Sequence, residues 1–123
     1  MTRLPTILLA TAALAGCATV PNPRPSAEAG AYHAIGTEPG WTLTIGERLM
    51  HFSGAYGQGP VSEPTPRVIH GFAGEIWQGK RIRVNVVHGR CSDGMSDRVY
   101  SDSVQLGVDG KAYRGCGGAI KAE

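Results

Sequence analysis

Apolar residues in this chain recur at every second position, and nowhere do they sustain helical spacing over three turns. That property confines the fold to short strands, because side chains two apart share one face of a strand. Trp41, Leu43 and Ile45 stand on one face, with Thr42 and Thr44 on the other. Gly46-Glu47-Arg48 then turns the chain toward Leu49-Met50-His51-Phe52, the return strand of a hairpin. The passage from Ser53 to Pro66, with GAYGQGP and SEPTP, reads as a loop with room for one short edge strand. Alternation resumes with Val68, His70 and Phe72 opposite Arg67, Ile69 and Gly71. It continues over residues 81–88 through Ile82, Val84 and Val86, and over residues 98–108 through Tyr100, Val104, Leu106 and Val108. Asp109-Gly110 is a hairpin turn signal, and Lys111 to Arg114 returns as the last strand. Eighteen Gly and eight Pro supply the turns between these runs. Six to eight antiparallel strands cannot lie flat with one apolar face in water. The prediction is therefore all-β, a small antiparallel β-barrel or a two-layer sandwich, preceded by an N-terminal signal helix.

The signal is read from Arg3, an apolar run from Leu4 to Leu14, and small residues closing on a cysteine. The run is about eleven residues, well short of the roughly 20 that a spanning helix needs. Leu14-Ala15-Gly16-Cys17 resembles the bacterial lipobox, whose Cys thiol is acylated and becomes the new N-terminus. The resemblance implies a signal peptide over residues 1–16 and a membrane anchor at Cys17, including palmitate. Acyl chains contribute about 0.8 kcal/mol per buried CH₂, so two or three hold far more firmly than one. In many Gram-negative bacteria an Asp after the lipidated Cys retains the protein in the inner membrane. Ala18 stands there, which implies the outer membrane, facing the periplasm. An ordinary signal peptide with an incidental cysteine is the alternative. Residues 17–31, rich in Pro and small side chains, read as a flexible tether, followed by a β domain over 32–119 and a tail over 120–123.

The formal charge is only +2, and the densest basic stretch is Gly79-Lys80-Arg81-Ile82-Arg83. That excludes the extended basic surface that nucleic acid requires. With Cys17 assigned to lipid, Cys91 and Cys116 remain, and in an oxidising compartment two cysteines of a small domain pair as a disulfide. A free reactive thiol or a metal-ligand pair is the alternative, although no CxxC and no His at ligand spacing accompanies them.

Two blocks, Tyr32-His33-Ala34-Ile35-Gly36-Thr37-Glu38-Pro39-Gly40-Trp41 and Cys91-Ser92-Asp93-Gly94-Met95-Ser96-Asp97-Arg98 with Tyr100 and a later Gly115-Cys116, carry a second resemblance. They are similar to an uncharacterised family of bacterial envelope lipoproteins, described as predicted membrane proteins and sometimes joined to META-type domains. The resemblance implies a compact β domain in the envelope and no established activity. Gly40 stands where the family commonly has an aromatic, and Ser101-Asp102 where it has Pro-aromatic.

Candidate site residues come from the same blocks. Asp93 and Asp97 with Arg98 form a charged cluster able to hold a cation or a basic group. Calcium, however, wants six to eight oxygens, and Asp93-Gly94 with Ser92 and Ser96 reads more simply as a turn. Glu38 beside Trp41 is a candidate acid or base, but glycosidase chemistry needs a second carboxylate about 5 to 9.5 Å away, and none is near in sequence. His33, His51, His70 and His88 fall one per predicted strand; whether they converge depends on register. No cofactor, metal site or catalytic residue is assigned. The expected role is a non-catalytic binding module with an envelope protein or a cell-wall ligand as partner, an inhibitor of an envelope-attacking hydrolase being one form of it. The alternative is a small-ligand or metal binder using the barrel mouth near Glu38, Trp41, Asp93 and Asp97.

Overall fold

The computed structural model describes residues 31–54 and 57–122, together with residue 16. The proposed signal helix, the lipidation site Cys17 and nearly all of the tether lie outside the described residues. No described helix is long and apolar enough to cross a membrane.

Among the described residues nine strands follow one another: β1 (Tyr32–Thr37), β2 (Gly40–Ile45), β3 (Leu49–Gly54), β4 (Val61–Pro64), β5 (Ile69–His70), β6 (Gly74–Gln78), β7 (Ile82–Ser92), β8 (Arg98–Val108) and β9 (Lys111–Ala122). They form one antiparallel sheet in the order β4-β3-β2-β1-β9-β8-β7-β6-β5, curled into a half-barrel. Every neighbour in this order is also a neighbour in sequence, except that the last strand pairs with the first through Ala34–Gly117 and Ile35–Cys116. This is the connectivity of an up-and-down barrel with one seam left open, between β4 and β5.

Proline explains the position of that seam. Pro64 ends β4 and Pro66 follows two residues later, and a proline has no N–H with which to extend a ladder. A side chain bridges the gap instead. The Glu63 carboxylate accepts the backbone N–H groups of Lys80 at 3.1 Å and Arg81 at 3.2 Å in the β6–β7 turn, and of Ile82, the first residue of β7, at 2.8 Å.

Burial alternates along the strands as the pattern predicted. Leu43, Met50, Phe52, Ile82, Val84, Val86, Val104 and Val108 are all fully enclosed in the half-barrel interior, where Trp41, Phe52 and Tyr113 pack ring against ring. The hairpin turn at Asp109-Gly110 has positive φ at both residues, 48° and 83°, as a type I′ turn demands.

Four features differ from the sequence expectation. The strand count is nine because β1, within the Tyr32–Trp41 block, and β6 were not separated from their surroundings. The run from Arg67 to Phe72 pairs only at Ile69–His70, since Phe72 lies in the following turn, fully exposed. Strand β9 runs on to Ala122, through residues expected to be tail. Cys116 therefore sits inside the last strand and not after it.

Candidate functional site

Two irregularities shape the outer surface. The β7–β8 register slips between His88 and Cys91, and the β8–β9 register slips between Tyr100 and Asp102. Such bulges bend a strand and raise its twist. The second is accommodated by Gly118, whose φ of 80° suits glycine and whose Cβ, if present, would lie 2.3 Å from Asp102 Oδ2. Beyond the bulges the end of β7 and the β7–β8 turn are tied to β9 and to the end of β1. Cys91 and Cys116 are joined, with S–S 2.01 Å, and the Thr37 hydroxyl donates to the Asp93 carbonyl at 3.3 Å.

Beside this junction lies a cleft of about 280 Å³, lined by residues that include Thr37, Glu38, Asp93, Arg114 and both disulfide cysteines. Glu38 and Asp93, 55 positions apart in sequence, thus meet on one concavity, and Arg114 adds a cation. The Glu38–Pro39 peptide is cis and leads β1 into β2.

Asp93 is held as an ionised turn cap. Its Oδ1 accepts the N–H of Met95 at 3.0 Å and of Ser96 at 2.8 Å, while Oδ2 accepts the Ser96 hydroxyl at 2.7 Å. The Ser96 hydroxyl first, then the Ser96 and Met95 amides, hold this carboxyl below the usual carboxylate range. The Ser96 hydroxyl also accepts the N–H of Arg98 at 3.2 Å. Asp97 and Arg98 are exposed beside this turn and do not line the cleft. Trp41 is core: its indole is 3 % exposed and packed against Phe52 and Tyr113.

A second cluster was not legible in the sequence. On the inner face Ile82 pairs with Val108, Val84 with Leu106 and Val86 with Val104, and the next rung is His88 with Asp102. The ladder of apolar pairs ends in an acid–base pair. Imidazole Nδ1 of His88 donates to Asp102 Oδ1 at 2.7 Å and Nε2 donates to the Glu75 carboxylate at 3.0 Å. The Tyr32 hydroxyl donates to Asp102 Oδ2 at 2.9 Å. Two carboxylates on two ring nitrogens require both to carry protons, and the Asp102 and then the Glu75 hydrogen bonds raise the His88 pKa. Burial, followed by the Asp102 hydrogen bond, raises the Tyr32 pKa, so its phenol stays protonated. Asp102 is 4 % exposed, and these donors satisfy it.

The four histidines stand apart. His33 and His51 belong to one outward row across β1 to β3 with Thr44 between them, His70 is on edge strand β5, and His88 closes the inner ladder. Among the described residues no group of three or more His, Cys, Asp or Glu is arranged to hold a metal ion.

No family model matches the chain, and no match is found among curated proteins or solved structures.

Proposed function

We propose that this chain is an envelope lipoprotein, anchored to the outer membrane through Cys17 and facing the periplasm, whose β domain is a non-catalytic binding module. The lipobox-like Leu14-Ala15-Gly16-Cys17 supports the anchor. The cleft floored by Cys91–Cys116 is the observation that carries the binding role. Its volume of about 280 Å³ sits at the low end of the roughly 300–1,000 Å³ of small-molecule sites. Glu38 and Asp93 with Arg114 put both signs of charge on the lining of one cleft. A short zwitterionic ligand suits such a surface, and cell-wall peptide fragments, with free amines and carboxylates, belong to that class.

The protonation of the cleft favours binding over catalysis. Asp93 has both oxygens engaged by three donors, which leaves it poorly disposed to act as nucleophile or base opposite Glu38.

Labelling cells with a palmitate analogue and separating their membranes tests the anchor. The label is expected on the wild-type chain in the outer-membrane fraction and lost in Cys17→Ser; an unlabelled, soluble wild type contradicts it. Soluble cell-wall peptide fragments test the cleft, through a raised melting temperature of the full-length protein that Glu38→Gln abolishes. An unchanged wild-type melting temperature contradicts that part alone.

A further inference from the structure

The exposed apolar side chains are unevenly placed. Traced from Tyr32, the alternating strands put the start of β1, the β2–β3 and β5–β6 turns and the end of β9 on one rim of the half-barrel, and the β1–β2, β6–β7 and β8–β9 turns on the other. The first rim carries Leu49, 51 % exposed, Phe72, fully exposed, and Ile120, 57 % exposed. Val87, also exposed, faces Gly74 on the β6–β7 rung nearest Phe72. Among the described residues the turns of the second rim hold no exposed large hydrophobic side chain; Glu38, Lys80, Arg81 and Asp109 stand there instead. The other two exposed apolar residues stand apart, Ile69 within the sheet opposite Ile76 and Met95 in the β7–β8 turn that Thr37 holds toward the far end of β1.

The apolar rim converges on Tyr32, where the chain arrives from Cys17. Ile45 pairs with Tyr32, and Leu49 opens the strand that returns from there, its carbonyl accepting the Gly46 N–H at 2.9 Å. Ala73, next to Phe72, accepts the His88 N–H at 2.8 Å, and His88 is bonded to Asp102, the acceptor of the Tyr32 hydroxyl. Gly118, just before Ile120, lies against the same Asp102.

We propose that this rim is seated on the phospholipid surface of the membrane, an assignment that rests on the lipid anchor at Cys17. Phe72, Leu49 and Ile120 enter the headgroup layer, while Arg48 beside Leu49 and Lys121 beside Ile120 meet lipid phosphates. The described acids of the rim are Glu47 and Glu75, and Glu75 is bonded to His88. A bilayer is the partner that the start of β1 must face in an anchored chain. The segment from Cys17 to Tyr32 reaches at most about 50 Å when fully extended, so the domain stays close to the surface. Contact is then intramolecular, and a few side chains suffice. Seated this way, the Glu38 end of β1 points away from the bilayer and leaves the disulfide cleft open to a ligand.

The lipidated protein, purified from cells and reconstituted into vesicles of phosphatidylethanolamine with a minority of phosphatidylglycerol, tests the assignment. Phe72→Trp and, on the opposite rim, Lys80→Trp each add one indole at an exposed position, read against the wild-type signal of Trp41 and Trp77. With phospholipids brominated near the headgroup, the added fluorescence of Phe72→Trp is expected to be quenched and shifted to the blue, and that of Lys80→Trp to match unbrominated vesicles. Flotation of the same samples separates the two readings. Protein that floats with the vesicles but shows no quenching of Phe72→Trp, or equal quenching of both variants, overturns the seating and leaves the anchor standing. Protein that does not float overturns both.

Discussion

The carboxylate of Glu63 accepts the backbone N–H of Ile82 at 2.8 Å across the one seam where the strands of the half-barrel do not pair. One side chain there stands in for the hydrogen bonds of a missing ladder. Space is reserved for it, because a Cβ at Gly79 would fall 1.8 Å from Glu63 Oε1.

Glu63→Ala should therefore cost about 2 to 3 kcal/mol, since it strands a partly buried N–H whose acceptor is charged. Glu63→Gln, which keeps an acceptor, should cost less than half of that. Urea unfolding is the measurement: a lower midpoint at unchanged slope is expected for both variants, with Ala the lower.

Stability should depend on pH through His88. Asp102 first and Glu75 second raise its folded pKa above the ordinary value. A raised pKa contributes stability that is fully present below the unfolded value of about 6.5 and is lost as pH rises through the folded pKa. The melting temperature should fall across that window on the alkaline side, and His88→Gln should flatten this limb. The acid limb has the opposite sign. Asp93 and Asp109, both lowered, the latter chiefly by its Arg81 hydrogen bond, contribute stability above the ordinary carboxylate range that is lost as pH falls through their folded pKa values.

Cys91 and Cys116, 25 positions apart, close a loop worth roughly 3 to 3.5 kcal/mol by chain-entropy arithmetic. Replacing both by Ala should remove about that much in urea unfolding. Hydrogen exchange should also quicken, and most at residues 91–98, where the hairpin loses its covalent hold on β9.

Glycine substitutions should separate the crowded from the open positions. A Cβ at Gly115 would lie 1.9 Å from the Ile35 carbonyl, whereas nothing lies within 4 Å of one at Gly89. Gly115→Ala should thus force apart β9 and β1 at a cost of about 1 to 3 kcal/mol or more, and Gly89→Ala should leave the melting temperature nearly unchanged.

Period-two alternation sufficed to read β2, β3, β7 and β8, because each buries one face and shows the other to water. The Asp109-Gly110 turn and the cysteine pair were equally legible, since each depends on local chemistry or on counting. Strand β1 was harder, its alternation blurred by Gly36 and by half-buried Tyr32 and Ile35. In β6 a run of half-buried residues, Gly74 to Trp77, gave no contrast between faces. The meeting of Glu38 with Asp93, and of His88 with Asp102, Glu75 and Tyr32, depends on register and on two bulges. A single chain does not display either. Trp41, in turn, was a candidate for the site by its neighbours in sequence, yet alternation with Leu43 and Ile45 already assigned it to the interior.

The claim that the disulfide-floored cleft recognises a cell-wall ligand is tested most directly by sedimenting the full-length protein with purified insoluble cell wall, wild type beside Glu38→Gln. The account predicts that the wild type pellets with the wall in a saturable manner and that Glu38→Gln, equally folded, pellets about tenfold less tightly. Equal pelleting of the two, or a wild type that stays in the supernatant, would contradict it.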